Sequence, residues 1–402
     1  MKILQLCYKP PFPAVDGGCI SMHTLTKGLI NNGHQVKVLT FYSFKHPCDI
    51  KNLPKDYVEQ TEFETIFADL KLRPLDALLT FLKNESYHVK RFINEEMTKR
   101  LEALLQEESF DVVQLESIFL APYIQTIRRF SKAKLVLRAP NIEHLIWQRT
   151  AKNTKNPIKK LYLKQLASSL KAYELEVVNL FDGVYPLTKI DADYFKANGC
   201  KVPTRAVGVG MEPIEVKPIP KTEQNTLFHI GSMDWMPNQQ AIQWFLDNVW
   251  DSIHSKLPNI SLYLAGRNMP QWLLELNKES IIVLGEVRNS AEFILSKEIM
   301  IVPLLSGSGI RIKILEAMSL RKCIIATSQA AEGIQYEDGK NIVIANTEEE
   351  FEKAIYKCIT DTEFSQQIAQ NAEKLIQERY NIEAIARELV EYYEELDSSS
   401  KH

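Results

Sequence analysis

The stretch GSGIRIKILEAM, residues 307–318, follows the apolar run IMIVPLL, residues 299–305, with Ser306 between them, and this junction decides the fold. A short β-branched run that ends in small residues and then takes up a helical period reads as a buried parallel strand turning into its helix. Arg311, Lys313 and Glu316 fall on the first turns of that helix. Moving outward in both directions, the same unit recurs. Strands read at KILQLC, QVKVLT, DVVQL, KLVLRA and GVYPLT in the first half, and at TLFHIG, ISLYLAG, IIVLGEV, IMIVPLL, CIIATS and NIVIA in the second, with amphipathic segments between most of them. Alternation of this kind gives an α/β chain with parallel sheets covered by helices.

At 402 residues the chain exceeds what one core usually supports, so two doubly wound domains are expected. The segment 207–225, VGVGMEPIEVKPIPKTEQN, is rich in Pro and Gly without a helical period and reads as the linker. The domains are then 1–206 and 226–378. A helix is expected over 379–396, with Ile382, Ile385, Leu389 and Tyr392 spaced three or four apart, and a disordered tail over 397–402. Gly33 marks the end of a helix before its strand, and Thr188 with Asp191 resembles a capping box.

Composition excludes several classes. The hydrophobic fraction of 45% and charged fraction of 25% are those of an ordinary globular protein, and a net charge of −3 gives no general pull toward nucleic acid. MKILQLCYKPPF lacks the pattern of a secretory signal, and no apolar run is long enough to span a bilayer, so a cytoplasmic chain is the expectation. Six scattered cysteines without a CxxC pair argue against a disulfide framework or a zinc site.

In an open α/β sheet ligands bind beyond the carboxyl ends of the strands, and 307–318 lies at such a point. Gly307, Ser308 and Gly309 let an anion approach the backbone, a helix start favours negative charge, and Arg311 and Lys313 add two cations. That set suits a pyrophosphate. The alternative is a tight turn followed by two solvated basic side chains. Gly17 and Gly18 occupy the matching place after the first strand. Neither turn fits GxGxxG, since Ile312 stands where the third glycine would be, so a nicotinamide dinucleotide is disfavoured. Glu316 is either a helix-face partner of Lys313 or an acceptor for ribose or sugar hydroxyls. The basic stretch 149–171, with interleaved Leu and Tyr, reads as a surface for an anionic bilayer or as a solvated helix face.

GSGIRIKILEAMSLRKCIIATSQAAEGI, with DGG in the first βα loop, GSMDWMPNQQAIQWF after the linker and NIEHLIWQR in the first half, resembles the family 4 glycosyltransferases of GT-B fold over essentially the whole chain. The resemblance implies two Rossmann-like domains facing a central cleft, with the C-terminal helix packing back on the first. It implies a hexosyltransferase that takes sugar from a nucleotide sugar bound by the second domain and retains anomeric configuration. No metal is required, and no cofactor beyond the co-substrate. The acceptor, held by the first domain, would be a carbohydrate or a lipid-linked one, in surface polysaccharide or lipopolysaccharide synthesis at the inner face of the membrane.

Carried over residue by residue, the second glutamate of the family's E-x7-E motif falls on Glu316, facing the ribose, whereas the first falls on Ser308. The Arg and Lys of the family's GR…K pattern have no counterpart in GSMDWMPN, and Arg311 and Lys313 would supply that charge. In RAPNIEH, Pro140 replaces a histidine that would lie near the donor sugar, leaving Asn141 and His144 as the first-domain cleft residues. Two rivals stand beside this reading: a nucleotide-sugar 2-epimerase, and a non-catalytic nucleotide-sugar-binding partner in a glycosylation complex.

Overall fold

A computed structural model describes residues 1–71, 80, 86–154, 156–214, 216–307 and 309–398. Contacts divide the chain into two units. The first comprises Met1–Gly210, Ser308–Ile310 and Ile382–His402, and the second Met211–Gly307 and Arg311–Asn381.

The first unit is built on a six-stranded sheet of order β3-β2-β1-β4-β5-β6. Its strands are β1 (Lys2–Cys7), β2 (Gln35–Tyr42), β3 (Glu64–Phe67), β4 (Val112–Leu115), β5 (Lys134–Ala139) and β6 (Gly183–Pro186), paired in parallel throughout. Helices cover both faces, which is why the central strands are mostly apolar: Ile3, Leu4, Leu6, Val113, Leu115, Leu135 and Leu137 are at most 1% exposed. One strand escapes the sequence reading. ETIF at β3 is a four-residue edge strand, and a segment so short carries little periodicity.

The helix Ile382–Ser398 belongs to this unit and packs against the helix Gly17–Asn31. Ile382, Ile385, Leu389 and Tyr392 form its buried stripe. Two glycines permit the close approach. A Cβ at Gly28 would lie 2.6 Å from the Ile382 carbonyl oxygen, and one at Gly183 would overlap the Tyr392 hydroxyl. Beneath the helix runs a buried polar network. Arg138 Nη1 pairs with Glu116 Oε2 at 2.8 Å, Gln5 Nε2 donates to Glu116 Oε1 at 2.5 Å, Gln114 joins the same carboxylate, and the Tyr393 hydroxyl donates to Gln114. A buried carboxylate is tolerated only when charge and hydrogen bonds satisfy it, and here both do.

The second unit repeats the plan, with order β12-β11-β10-β7-β8-β9. Its strands are β7 (Thr226–Ile230), β8 (Ser261–Ala265), β9 (Ile281–Gly285), β10 (Ile299–Val302), β11 (Cys323–Ala326) and β12 (Val343–Ile344). The expectation of two doubly wound parallel sheets is met. In each sheet the chain winds outward one way, returns to the centre and winds the other way. The reversal lies between β1 and β4 in the first unit and between β7 and β10 in the second. Just outside the carboxyl ends of such a strand pair, the two following loops separate and leave a crevice.

Candidate anion-binding site

The loop after β10 and the loop after β7 flank the switch point of the second unit, and Gly307, Arg311, Lys313 and Glu316 belong to the first of these loops and the helix that follows it. Gly307 has φ +126° and Gly309 φ +76°, backbone that favours glycine. Ser308 lies outside the described residues. The helix Ile312–Ser319 follows, with Arg311 at its N-cap in extended conformation, its own side chain not capping the helix.

Neither basic residue is a solvated helix-face side chain. Arg311 is 6% exposed, its guanidinium carbon 5.4 Å from the centroid of the Trp235 ring. A Cβ at Gly307 would stand 2.6 Å from Arg311 Nη2 and 3.0 Å from Trp235, so glycine there makes room for the guanidinium. Lys313 is half-buried and reaches back to the end of β7. Its Nζ lies 3.1 Å from His229 Nε2 and donates to Asn238 Oδ1 at 2.9 Å.

The surrounding bonds fix how these groups are oriented. His229 Nδ1 is 2.9 Å from the Ile301 carbonyl oxygen, which can only accept, so Nδ1 carries the ring proton and Nε2 accepts from Lys313. Asn238 Nδ2 donates to the Ser232 carbonyl at 2.8 Å, which turns Oδ1 toward the ammonium. Gly231, which ends the strand, leaves the space: a Cβ there would come within 3.1 Å of Lys313 Nζ. Lys313 is thus held by two neutral acceptors. Burial, and after it the nearby Arg311 guanidinium, bring its pKa down to about 7. Burial and then Lys313 keep His229 neutral, well below the usual histidine range. With its ammonium on neutral acceptors and the Arg311 guanidinium nearby, Lys313 marks a site in which a bound anion gains favourable charge compensation.

Glu316 does not pair with Lys313. Its Oε1 accepts from Ser290 Oγ at 3.1 Å, and burial raises its pKa. A second carboxylate approaches from the loop after β11. Gln329 Nε2 donates to Glu332 Oε2 at 2.5 Å and lies 3.4 Å from the Gly307 carbonyl oxygen. Sequence reasoning missed His229, Trp235, Asn238, Gln329 and Glu332. The one available signal was His229 itself, a lone titratable residue in the largely apolar strand TLFHI, two positions before a glycine.

The first-unit residues are placed differently. Gly17 is the first residue of its helix, and Asp16 caps it by accepting from the Cys19 N–H at 3.0 Å. Lys9 Nζ lies 2.6 Å from Asp16 Oδ1, and His46 Nε2 3.1 Å from Asp16 Oδ2. Although burial opposes it, the bonds from His46 and Lys9 hold the Asp16 carboxyl well below its usual range. Beside Gly17 and Gly18, read from the sequence as a second anion turn, the helix start carries the Asp16 carboxylate of the chain itself. Gly18 instead gives space to Lys9, whose Nζ would lie 2.7 Å from a Cβ.

His144 also needs correction as a cleft residue. It is 1% exposed, its Nδ1 2.6 Å from Glu174 Oε2 and its Nε2 2.8 Å from the Tyr194 hydroxyl. Glu174, from the helix Pro157–Val177, also accepts the N–H groups of Glu143 and His144 and so caps the helix Glu143–Lys152. Asn141 is half-buried and donates to Glu143 Oε1 at 3.3 Å. Burial and then the Glu174 charge raise Glu143 to about 8.

With this geometry in hand, the comparisons with known proteins bear on both units. Residues 224–361 match the family model described as Glycosyl transferases group 1. A curated relative, the "Uncharacterized 44.6 kDa protein in cps region" of Klebsiella pneumoniae, is 26% identical over 390 residues, covering 94% of this chain and 96% of that protein. Among solved structures, sucrose-phosphate synthase of Thermosynechococcus elongatus superimposes with a TM-score of 0.72 at 14% identity, covering 99% of this chain and all of the other. Anabaena HepE in complex with UDP-glucose gives a TM-score of 0.65 at 16% identity, over 98% and 100% of the two chains. A TarM variant from S. aureus, in complex with Fondaparinux, alpha-GlcNAc-glycerol and UDP, gives 0.67 at 10%, over 98% and 99%. The glycosyltransferase match therefore falls on the segment that carries His229, Arg311, Lys313 and Glu316, in a chain that has the GT-B fold.

Proposed function

We propose that the chain is a glycosyltransferase of the hexosyltransferase type that takes a sugar from a nucleotide-sugar donor and passes it to a carbohydrate or lipid-linked acceptor. The observation that carries this reading is the Lys313 ammonium, held at the switch point by His229 and Asn238 with Arg311 behind it. In glycosyl transfer, negative charge builds on the departing diphosphate while the sugar becomes oxocarbenium-like. Preorganised cations aimed at that diphosphate stabilise the transition state more than the ground state. Lys313 takes this role directly, Arg311 adds field through the glycine turn, and the reading assigns leaving-group neutralisation to these side chains and not to a metal.

Glu316, on the next turn, accepts ribose hydroxyls. Glu332 stands beside the turn that lacks a glutamate at Ser308 and accepts hydroxyls of the donor sugar. Transfer proceeds with retention, the acceptor hydroxyl entering on the face from which the phosphate leaves. The matched family and the UDP-glucose complex of a protein of the same fold support a nucleotide-sugar donor. The relative named for a cps region supports a place in polysaccharide synthesis. Calorimetric titration of UDP, GDP and TDP and their sugar conjugates tests the reading. One nucleotide should bind at micromolar affinity and lose about 2 kcal/mol or more in Lys313→Ala, the worth of a charged hydrogen bond. Absence of binding by every one of them to the folded protein overturns it.

A further inference from the structure

Between Leu145 and Tyr173 the sequence holds seven Lys and Arg residues and no Asp or Glu. This run spans most of the helix Glu143–Lys152 and most of the helix Pro157–Val177. The inner face of that second helix is ordinary core: Leu163, Leu166, Ala167 and Leu170 are buried. Its outer face is not an ordinary surface. Ile158 is 82% exposed, Leu161 68% and Tyr162 39%. These three sit at i, i+3 and i+4 and so project from one side of the first two turns. Exposed Lys159 and Lys164 flank them, and Lys152 is exposed just upstream.

Single exposed apolar residues need no explanation, but an aliphatic–aromatic cluster ringed by ammonium groups without one acidic residue in the run does. We propose that this turn is a membrane-docking surface that inserts Ile158, Leu161 and Tyr162 at the level of the lipid headgroups of an anionic bilayer. The charge pattern selects that occupant. Lysines attract anionic headgroups while their methylene stems follow the apolar side chains inward. A soluble anionic polymer would use the lysines and leave Ile158 and Leu161 in water. The chain's overall charge of −3 gives no general attraction to an anionic surface, so binding calls for a local basic patch such as this one.

The test is sedimentation of the full chain with phosphatidylcholine vesicles and with vesicles of phosphatidylcholine mixed with phosphatidylglycerol. Binding is expected on the mixed vesicles only, with release on raising salt, which screens the lysines. Lys159→Ser and Lys164→Ser should each weaken partitioning roughly fivefold, the worth of one cation near an anionic surface. Leu161→Asp should weaken it more, with circular dichroism and melting temperature unchanged because the side chain is exposed. Equal binding to both vesicle types, or binding that Leu161→Asp and the lysine variants leave intact, overturns the proposal. So does self-association in the absence of lipid that Leu161→Asp abolishes, since the patch would then serve a second copy of the chain.

Discussion

Replacing Lys313 with methionine keeps the length and apolar bulk of the side chain and removes the ammonium that donates to His229 and Asn238. In the free site that ammonium has a pKa of about 7, because burial and then Arg311 disfavour its charge. A diphosphate beside it reverses the balance and returns it toward the ordinary lysine value of about 10.4. Binding is then linked to proton uptake. A nucleotide sugar is the right probe, since both its phosphates are esterified and neither titrates near neutrality. Below pH 7 the lysine is charged before and after binding, and affinity is flat. Above pH 7 each unit costs about one proton, so affinity falls about tenfold between pH 6 and pH 8 and about tenfold again by pH 9, each decade being about 1.4 kcal/mol. Calorimetry at pH 8 in buffers of different ionisation enthalpy should read about 0.9 proton taken up per site. In Lys313→Met the affinity is lower and the slope disappears. A flat profile in the wild type without proton uptake, or an unchanged slope in Lys313→Met, refutes the assignment of Lys313 to the anion.

Lys313 also gives a ligand-free control. Its folded pKa lies below its unfolded one, so the unfolded chain binds more protons between about pH 7 and pH 10 and stability should rise across that window, a rise that Lys313→Met removes from the melting profile. Gly307→Ala forces a side chain into a backbone of φ +126° and against Arg311 Nη2, and should cost about 1–3 kcal/mol in urea denaturation along with nucleotide affinity. Glu174→Ala removes the cap of the helix Glu143–Lys152 and the partner of buried His144, an expected loss of about 3 kcal/mol by the same assay. Glu143 has a raised folded pKa of about 8, so the stability it contributes is present below the unfolded carboxylate value and is lost as pH rises through 8. Melting curves of Glu143→Gln should be flatter over pH 5–8 than those of the wild type.

Much of the architecture was legible because it rests on local periodicity. Runs such as KILQLC and IMIVPLL are predominantly apolar since helices cover both faces of their strands, and that pattern survives any detail of packing. The four-residue β3 was not legible, because an edge strand is defined by its neighbour β2 more than by its own residues. At the candidate site, a glycine turn followed by Arg311 and Lys313 could be read from spacing, but what those cations touch could not. His229 and Asn238 are 84 and 75 residues from Lys313, and only the pairing of β7 with β10 makes them neighbours. The same limit explains Gly18 and His144. A glycine before a helix looks alike whether it receives an anion or makes room for Lys9, and a helical histidine looks alike whether exposed or locked between Glu174 and Tyr194. The sequence by itself thus determined the doubly wound α/β class, through periodicity that each strand and helix carries within itself. Only the tertiary structure decided which charges are buried, which are paired and which face an open site, because desolvation and pairing depend on groups brought together from distant parts of the chain.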